Sequence, residues 1–257
     1  MSIDFSLTNH IAVITINRPE RRNALDAEHY KALSDAWLRV RDDHEVRVAV
    51  VTGAGDKSFC AGADLKTFAN NPAPLADMWL TQKDPIINRG LEVWKPVIAA
   101  VNGHCLGGGM TMLMATDVRV AVPHATFGLS EVKRGCIAGN GGTQRILKQL
   151  PYAVAMELLL TGDAMSASEA ERWGLVNKVV EPARLMEEAM AYAGRIAANA
   201  PLAVQAAKEL ARRGEEMDWV TGLRVEQMWN RVLRFSDDAR EGPLAFAEKR
   251  PPRFVGR

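Results

Sequence analysis

A run of apolar residues that ends in a cluster of glycines constrains the fold of this chain more than any other feature. The run 97–101 is apolar and rich in β-branched residues, Gly103 and Gly107–Gly109 follow it, and an apolar run begins at Met110. This pattern predicts a buried strand that turns through glycines into a helix. Backbone N–H groups at such a turn are unpaired, and glycine lets a ligand approach them closely. The sequence therefore predicts a site that binds either a phosphate or a developing oxyanion.

The composition is that of an ordinary globular protein. The 257 residues are 47% hydrophobic and 25% charged, and the formal net charge is +1. This balance gives no reason to expect a nucleic-acid partner or a membrane partner. No apolar run is long enough to span a bilayer, and the first residues do not have the pattern of a signal peptide. We therefore expect a cytoplasmic protein.

The cysteines and histidines argue against disulfides and against a bound metal. Cys60, Cys105 and Cys136 are widely spaced and odd in number, which is typical of reduced thiols. The five histidines are scattered, and neither a CxxC nor an HExxH pattern occurs. We predict that the protein binds no metal ion.

Strands and helices are predicted to alternate along most of the chain. Alternating or short apolar runs predict strands at 10–17, 46–52, 96–101, 118–122 and 176–180. Asp26 is a plausible N-cap for a helix that runs to about Val40, and Ser166 with Glu169 fits a capping box. The Asn- and Pro-rich stretch at 70–74 predicts a loop. Repeated β–α units of this kind predict an α/β fold with a largely buried sheet.

The C-terminal part of the chain is predicted to be helical. Beyond Glu181 the pattern predicts helices at 182–199, 201–213 and 217–235, and over most of 236–250. We therefore divide the chain into an α/β body at residues 1–197 and a helical part at residues 198–257. About 60 residues of helix would be marginal as an independent domain, so we expect them to pack on the body or on another subunit.

Three interpretations of the glycine cluster remain open on the residues alone. A dinucleotide site requires G-x-G-x-x-G and a later acidic residue, and the spacing at 103–109 does not match that motif. A tight strand–helix packing turn would carry no chemistry. An oxyanion hole is favoured by a second bend of small residues, 58–66, which follows another predicted strand. Two amides from separate bends can bind one oxygen, and Lys66 adds a cation that suits a phosphate.

Glu131 is the candidate acid/base. It stands among apolar and small residues after the predicted strand 118–122. A carboxyl group in such surroundings has a raised pKa and can exchange protons near neutral pH. A solvated loop carboxylate is the alternative. The glycine-rich stretch 139–145 opens a further helix, whose N–H groups are suited to position water or substrate.

Together these segments resemble the crotonase superfamily, the enoyl-CoA hydratase/isomerase family. The resemblance is carried by SFCAGADLK, KPVIAAVNGHCLGGG, DVRVAVPHATFGLSEVKRG, GNGGTQR and LLLTGDAMSASEAERWGLVNKVV. It extends over nearly the whole chain, and the order and spacing of the segments make it specific. The ending EGPLAFAEKR resembles members of the carnitinyl-CoA dehydratase type.

The resemblance implies a fold, an assembly and a substrate class. The implied fold is a ββα spiral core with a C-terminal helical trimerisation region. The implied assembly is a homotrimer, or a hexamer built from two trimers. The implied substrate is an acyl-CoA thioester, so that coenzyme A is part of the substrate and no separate cofactor is expected.

The resemblance also implies roles for individual residues. It assigns the oxyanion-binding amides to Ala63 and Gly108, and the proton transfer to Glu131. The residues implied in substrate and coenzyme A binding are Ala61, Ala63, Asp64, Leu65, Lys66, Gly108, Gly139 and Lys249. Of these, Lys249 is expected to reach a phosphate of coenzyme A, on its own or a neighbouring subunit.

One position departs from the pattern of this family. Its hydratases usually carry two glutamates that flank a water molecule, and Thr111 stands where the first is expected. Threonine cannot take up a proton near neutral pH and can only form hydrogen bonds. We therefore expect Glu131 to be the sole general acid/base, with Thr111 orienting water or substrate.

Three functions remain compatible with a single glutamate. Likeness over the whole chain favours reversible hydration and dehydration of a 2-enoyl-CoA. The single glutamate also suits an enoyl-CoA double-bond isomerase, which moves a proton between two carbons. A non-catalytic acyl-CoA binder is the third possibility. A serine or cysteine hydrolase is disfavoured, because no G-x-S-x-G motif occurs and the cysteines have no assigned base.

Overall fold

The core of the protein consists of two β-sheets. The computed structural model describes residues 3–70 and 84–257. For residues 68–70 only the backbone is described. The larger sheet has the order β1-β2-β3-β5-β7-β10 and the smaller sheet the order β4-β6-β8-β9. The strands are β1 Ile3–Thr8, β2 Ile11–Ile16, β3 Val48–Gly53, β4 Ser58–Cys60, β5 Val97–Val101, β6 His104–Leu106, β7 Val118–Ala121, β8 Thr126–Gly128, β9 Met165–Ser166 and β10 Lys178–Val179.

The helices surround these sheets and form the C-terminal part. They are α1 Ala27–Asp42, α2 Leu65–Asn70, α3 Gly108–Leu113, α4 Gly142–Gln149, α5 Tyr152–Thr161, α6 Ala167–Arg172, α7 Leu185–Ala197, α8 Pro201–Gly214, α9 Trp219–Leu233 and α10 Asp237–Ala247. Short 3-10 helices cover Pro19–Arg21, Glu131–Arg134 and Pro182–Arg184. No helix of the described residues is both long enough and apolar enough to cross a membrane.

Successive strands alternate between the two sheets. β3, β5 and β7 enter the larger sheet, and β4, β6 and β8 follow them into the smaller one. The strands from β2 to β10 in the larger sheet pair in parallel, and only the β1–β2 hairpin is antiparallel. Each turn of the chain thus supplies one strand to each sheet. This architecture confirms the ββα spiral that the family resemblance implies.

The predicted helix signals agree with the structure. The Asp26 side chain accepts a hydrogen bond from the His29 amide at 3.1 Å and caps α1. Ser166 and Glu169 form both hydrogen bonds of a capping box at the start of α6. These interactions are local in sequence, because each joins residues three positions apart.

Several predicted elements differ from the structure. The strand expected at 176–180 is reduced to Lys178–Val179, and the helix expected at 182–199 begins as a separate 3-10 turn. The sequence analysis missed β1 and every strand of the smaller sheet. Three of those strands have three residues and one has two, which is too short for a periodic pattern. The predicted loop at 70–74 lies outside the described residues except for Asn70, which ends α2.

The C-terminal helices contact the body through a few polar interactions. The buried ammonium of Lys208 on α8 lies 2.7 Å from Asp117, at the start of β7. Arg47 donates a hydrogen bond to the carbonyl oxygen of Phe254, in the segment after α10, at 2.7 Å. Only Ala206, Asp238 and Ala245 are buried among the described residues from 201 onward. The division at residues 197 and 198 stays a prediction.

Candidate active site

Two bends meet at the start of α3. β4 and β6 pair in parallel with Cys60 opposite Cys105, so the segments that leave these strands run side by side. A methyl group on Gly108 would lie 3.6 Å from the Ala63 nitrogen, and one on Gly62 would lie 2.8 Å from the Gly108 nitrogen. The structure therefore brings the Ala63 and Gly108 amides close together, although 45 positions separate them in the sequence.

Backbone hydrogen bonds hold the neighbours of Ala63 and Gly108 in place. Gly62 accepts from the Leu25 amide at 2.8 Å, and the Asp64 amide donates to the Leu25 carbonyl at 2.8 Å. The Gly107 amide donates to Gly128 at 2.9 Å. Within the described residues, neither the Ala63 N–H nor the Gly108 N–H has a hydrogen-bond acceptor. These two donors are available to a ligand, as an oxyanion site requires.

Glycine is required at the closest contacts of the two bends. Gly62 has a φ of +90°, and a side chain there would press on both the Gly108 nitrogen and the Leu106 carbonyl oxygen. A side chain on Gly109 would overlap the carbonyl of Cys60. The small residues of SFCAGADLK and of the glycine cluster thus allow two backbones to touch.

Glu131 lies beside the glycine turn. β8 pairs with β6 so that Gly128 is opposite Leu106, and the chain then enters the 3-10 turn that begins with Glu131. Its Oε1 would be 3.4 Å from a methyl group on Gly107. Its Oε2 is buried and accepts no hydrogen bond from any described residue. Burial raises the pKa of Glu131, and the opposing effects of a backbone hydrogen bond and of Arg134 are smaller.

Thr111 is buried, and its hydroxyl group both donates and accepts a hydrogen bond. The side-chain oxygen donates to the Gly108 carbonyl at 3.0 Å and accepts a hydrogen bond from the Asn88 side-chain amide at 2.9 Å. Its methyl group would touch any side chain placed on Gly142, at 3.0 Å. Thr111 thus joins the start of α3 to the start of α4 and to Asn88.

Two residues near this turn were missed by the sequence analysis. Asn88 is 6% exposed, and its side-chain oxygen is buried without a hydrogen-bond partner among the described residues. The Tyr30 hydroxyl would lie 3.3 Å from a methyl group on Gly108, and burial raises the pKa of Tyr30 to about 12. Neither residue stands in a local motif, so no signal in the sequence could have identified it.

Asp64 is engaged in the structure of its own bend. Its carboxylate accepts hydrogen bonds from Arg18 at 3.0 Å and from the amides of Lys66 and Thr67 at the start of α2. Burial acts to raise the pKa of Asp64, but these hydrogen bonds and the charge of Arg18 outweigh it, so the pKa is lowered. Arg18 also pairs with Asp26 at 3.1 Å. The Asp64 side chain therefore anchors the bend to the cap of α1.

The remaining predicted binding residues lie in three places. Ala61, Leu65 and Lys66 share the bend of Ala63, where Leu65 is 53% exposed and Lys66 is also exposed. Gly139 lies on the exposed loop before α4, with open space where a side chain would be. Lys249 follows α10, and no hydrogen bond or ion pair among the described residues joins it to the bend.

The described residues contain no group of three or more His, Cys, Asp or Glu side chains that could hold a metal ion. Cys60 and Cys105 are buried, and Cys136 is exposed. Burial raises the pKa of Cys60 to about 12, so this thiol is not a nucleophile near neutral pH. Glu131 therefore lies beside the two amides as the carboxyl group of the turn.

Comparisons with known proteins agree on one family. A family model described as enoyl-CoA hydratase/isomerase matches residues 6–257. The chain is 45% identical to the (E)-benzylidenesuccinyl-CoA hydratase of Thauera aromatica, over 100% of both chains. It is 41% identical to the carnitinyl-CoA dehydratase of Proteus mirabilis (strain HI4320), over 100% of this chain and 99% of the relative.

Solved structures show the same likeness. The enoyl-CoA hydratase of Bacillus anthracis has a TM-score of 0.92 and 36% identity, over 100% of both chains. The enoyl-CoA hydratase of Mycobacterium marinum has a TM-score of 0.89 and 40% identity, over 100% of this chain and 99% of that one. The similarity therefore covers the whole chain in both sequence and structure.

Proposed function

Because this chain belongs to the enoyl-CoA hydratase/isomerase family, we propose that Ala63 and Gly108 bind the thioester oxygen of a 2-enoyl-CoA while Glu131 moves the proton. The family identified from the motifs is confirmed, including the likeness to carnitinyl-CoA dehydratases. The chain is an enzyme of the hydratase and dehydratase kind, and the hypothesis of a non-catalytic acyl-CoA binder is set aside.

One observation gives the strongest support to the proposed roles of Ala63, Gly108 and Glu131. A carboxyl group with a raised pKa lies beside a turn where two backbone amides lack acceptors among the described residues. A hydrogen-bond donor aimed at a developing oxyanion contributes about 10²–10³ in rate, and a well-placed acid/base about 10²–10⁴. Both contributions require the close approach that the glycine turn provides.

The proposed reaction conserves atoms and charge. The oxygen of water bonds to the β-carbon, and the electrons of the double bond move to the thioester oxygen, which the two amides stabilise. Glu131 takes the proton that the water loses and delivers it to the α-carbon. The carbonyl is then restored, and the net change is the addition of one water. Dehydration follows the same path in reverse.

Isomerisation is the second candidate, and Thr111 is the observation that favours it. Its hydroxyl cannot replace a second acid/base, and Glu131 alone can move a proton from one carbon of the acyl chain to another. The oxyanion site would stabilise the same enolate. This reaction adds no water to the substrate.

The deciding experiment is an assay of coenzyme A esters in heavy water, followed by mass spectrometry. The panel contains crotonyl-CoA together with the esters for which two relatives are named, benzylidenesuccinyl-CoA and carnitinyl-CoA. We expect at least one ester to gain or lose the elements of water. A shifted double bond without water would support the isomerase instead. Binding without any conversion of the panel would contradict both.

The coenzyme A part of the substrate is proposed to lie along the bend of Ala63. The exposed ammonium of Lys66 is available there for a phosphate, whereas the Asp64 carboxylate is held by Arg18. Gly139 leaves open space on the loop before α4. Lys249 is proposed to contribute a second cation, from the same subunit or from a neighbouring one.

A homotrimer, or a hexamer of two trimers, is proposed from the C-terminal helices. Large apolar side chains are exposed on and beside α9 and α10: Trp219 at 78%, Val220, Met228, Val232, Phe235 at 84%, Leu244 and Phe246 at 85%. Exposed apolar surface of this kind marks an interaction site. We also propose a cytoplasmic location, which the three free cysteines support.

Light scattering on the purified protein should give the mass of three or six chains. Phe235→Asp combined with Phe246→Asp is expected to lower that mass, because two charges would be buried at the interface. Tyr152→Ser changes an aromatic residue of similar exposure on α5 and should leave the mass unchanged. A wild-type protein with the mass of a single chain would contradict the proposed assembly.

A further inference from the structure

Two side-chain oxygens near the start of α3 are buried without a hydrogen-bond donor among the described residues. They are Oδ1 of Asn88 and Oε2 of Glu131. A buried acceptor that lacks a donor is costly, so such atoms point to a group that the protein itself does not supply. Asn88 precedes β5, which begins at Val97, whereas Glu131 follows β8.

The orientation of the Asn88 side chain is fixed by its neighbours. Its amide nitrogen donates to the Thr111 hydroxyl at 2.9 Å, and that hydroxyl donates onward to the Gly108 carbonyl at 3.0 Å. Arg145 donates to the backbone carbonyl oxygens of Asn88, at 3.3 Å, and of Asn140, at 2.9 Å, and so holds the backbone at Asn88. The side-chain nitrogen faces Thr111 and donates one of its two N–H groups there, so the unpartnered oxygen is the acceptor that the Asn88 side chain offers to a ligand.

Contacts connect this arrangement to the glycine turn. Thr111 lies one helical turn after Gly107, to whose carbonyl its amide donates at 3.0 Å. Glu131 Oε1 lies 3.4 Å from the position of a methyl group on the same Gly107. Asn88, Thr111, Gly107 and Glu131 therefore form one continuous set of neighbours around the start of α3.

We propose that Asn88 and Glu131 together hold the water that adds to the substrate. This inference rests on the proposed hydration. A water molecule has two hydrogens, and each of the two oxygens can accept one of them. The hydrogen that faces Glu131 leaves as a proton when the water oxygen bonds to the β-carbon. The hydrogen that faces Asn88 stays on the new hydroxyl group.

This arrangement assigns different tasks to Asn88 and Thr111. The amide oxygen of Asn88 touches the reacting water and orients it without taking up a proton. Thr111 is a positioning residue, because its hydroxyl determines which way the Asn88 amide faces. A single carboxylate is then sufficient for hydration, because an amide supplies the second contact to water.

The test compares two reactions of the intact enzyme. Hydration of a 2-enoyl-CoA needs the placed water, whereas exchange of the α-hydrogen of a saturated acyl-CoA in heavy water needs only the oxyanion site and Glu131. Asn88→Leu should lower the kcat of hydration by about 10- to 100-fold, since a misplaced reactant costs rates of this order. The rate of α-hydrogen exchange in this variant should fall far less than its kcat of hydration. Asn88→Asp, which keeps an acceptor oxygen, should retain more hydration than Asn88→Leu.

Thr111→Val tests the positioning role. Valine keeps the shape of threonine and removes the hydroxyl, so it should lower the kcat of hydration with little change in KM or in exchange. Asn199→Ala, at an exposed asparagine, is the control and should change neither reaction. Circular dichroism and melting temperature confirm that each variant is folded, and Asn88→Ala, which also removes the acceptor oxygen, replaces the leucine variant if that one does not fold.

Two results would overturn the inference alone. One is a normal hydration rate in Asn88→Leu. The other is an equal loss of hydration and exchange in the folded Asn88 variants, which would indicate a purely structural role. A wild-type enzyme that exchanges the α-hydrogen but hydrates no ester would overturn the proposed function, and this inference with it.

Discussion

Replacement of Glu131 by glutamine is expected to lower the kcat of hydration by about 10²- to 10⁴-fold. Glutamine keeps the shape of the side chain, but its amide cannot take the proton of water or deliver it to the α-carbon. The oxyanion amides are unchanged, so a coenzyme A ester should still bind. Steady-state kinetics measures the loss of kcat, and calorimetry with a substrate analogue measures the retained binding.

Glu28→Gln is the matched control for this variant, because Glu28 is exposed on the first turn of α1. It should leave kcat and binding unchanged. A Glu131→Gln enzyme that turns over at the rate of the wild type would show that another group transfers the proton. Loss of binding together with activity would instead indicate damage to the site.

The pH dependence of activity gives a second measurement on Glu131. Hydration needs the ionised carboxylate, and burial raises the pKa of this group above its ordinary value of 4.5. The acid limb of kcat/KM should therefore lie above pH 4.5, and the residual activity of Glu131→Gln should lack it. A limb at or below the ordinary value would contradict the burial that the structure shows.

The same shift has a defined sign for stability. A carboxyl group whose pKa is raised by folding stabilises the folded state in its protonated form. Its contribution is fully present below the pKa of the unfolded chain and is lost as the pH rises through the folded-state pKa. At neutral pH the wild-type enzyme thus holds a carboxylate that burial disfavours. Glu131→Gln should melt at the same temperature as the wild type or higher.

Replacement of Gly62 by alanine is expected to lower kcat by about 10²- to 10³-fold, as loss of one oxyanion donor does. The new methyl group would lie 2.8 Å from the Gly108 nitrogen and 3.0 Å from the Leu106 carbonyl oxygen. These are backbone atoms, so relief of the overlap must shift one bend against the other and change how the Gly108 and Ala63 amides face each other. The φ of +90° at Gly62 adds strain for any residue with a side chain.

Gly194→Ala is the matched control for Gly62→Ala. Gly194 lies within α7, where a methyl group meets no atom within 4 Å. Alanine there should leave kcat unchanged and stabilise the helix, by up to about 1 kcal/mol. Melting temperature and light scattering establish that the Gly62 variant is folded and assembled. Normal turnover by a folded Gly62→Ala enzyme would show that the oxyanion does not bind between these two bends.

The parts of the fold that follow from local chemistry were predictable from the sequence. Asp26 caps α1 because its carboxylate is three residues from the amide that it accepts, and the capping box of Ser166 and Glu169 has the same spacing. The apolar runs of β3 and β5 are completely buried, as expected of parallel strands covered on both faces. The short strands of the smaller sheet could not be predicted, because pairing with neighbours rather than periodicity defines them.

The candidate site likewise has residues that the sequence predicted and residues that it did not. The order of the motifs identified the family and singled out Ala63, Gly108 and Glu131. Asn88 and the ion pairs of Arg18 with Asp26 and Asp64 were missed, since their partners are distant in the sequence and each residue is common on protein surfaces. The role of Asp64 in substrate binding stays a prediction, and the structure adds that its carboxylate is bound by Arg18.

The sequence by itself determined the glycine turn, the helix caps, the family and the kinds of chemical groups available. Only the tertiary structure decided which of these groups meet. Pairing of β4 with β6 and of β6 with β8 brings residues 63, 108 and 131 to one place, and packing sets the Asn88 amide against Thr111. Such contacts depend on how distant segments pack, and no residue carries a local signal of a neighbour that is remote in the chain.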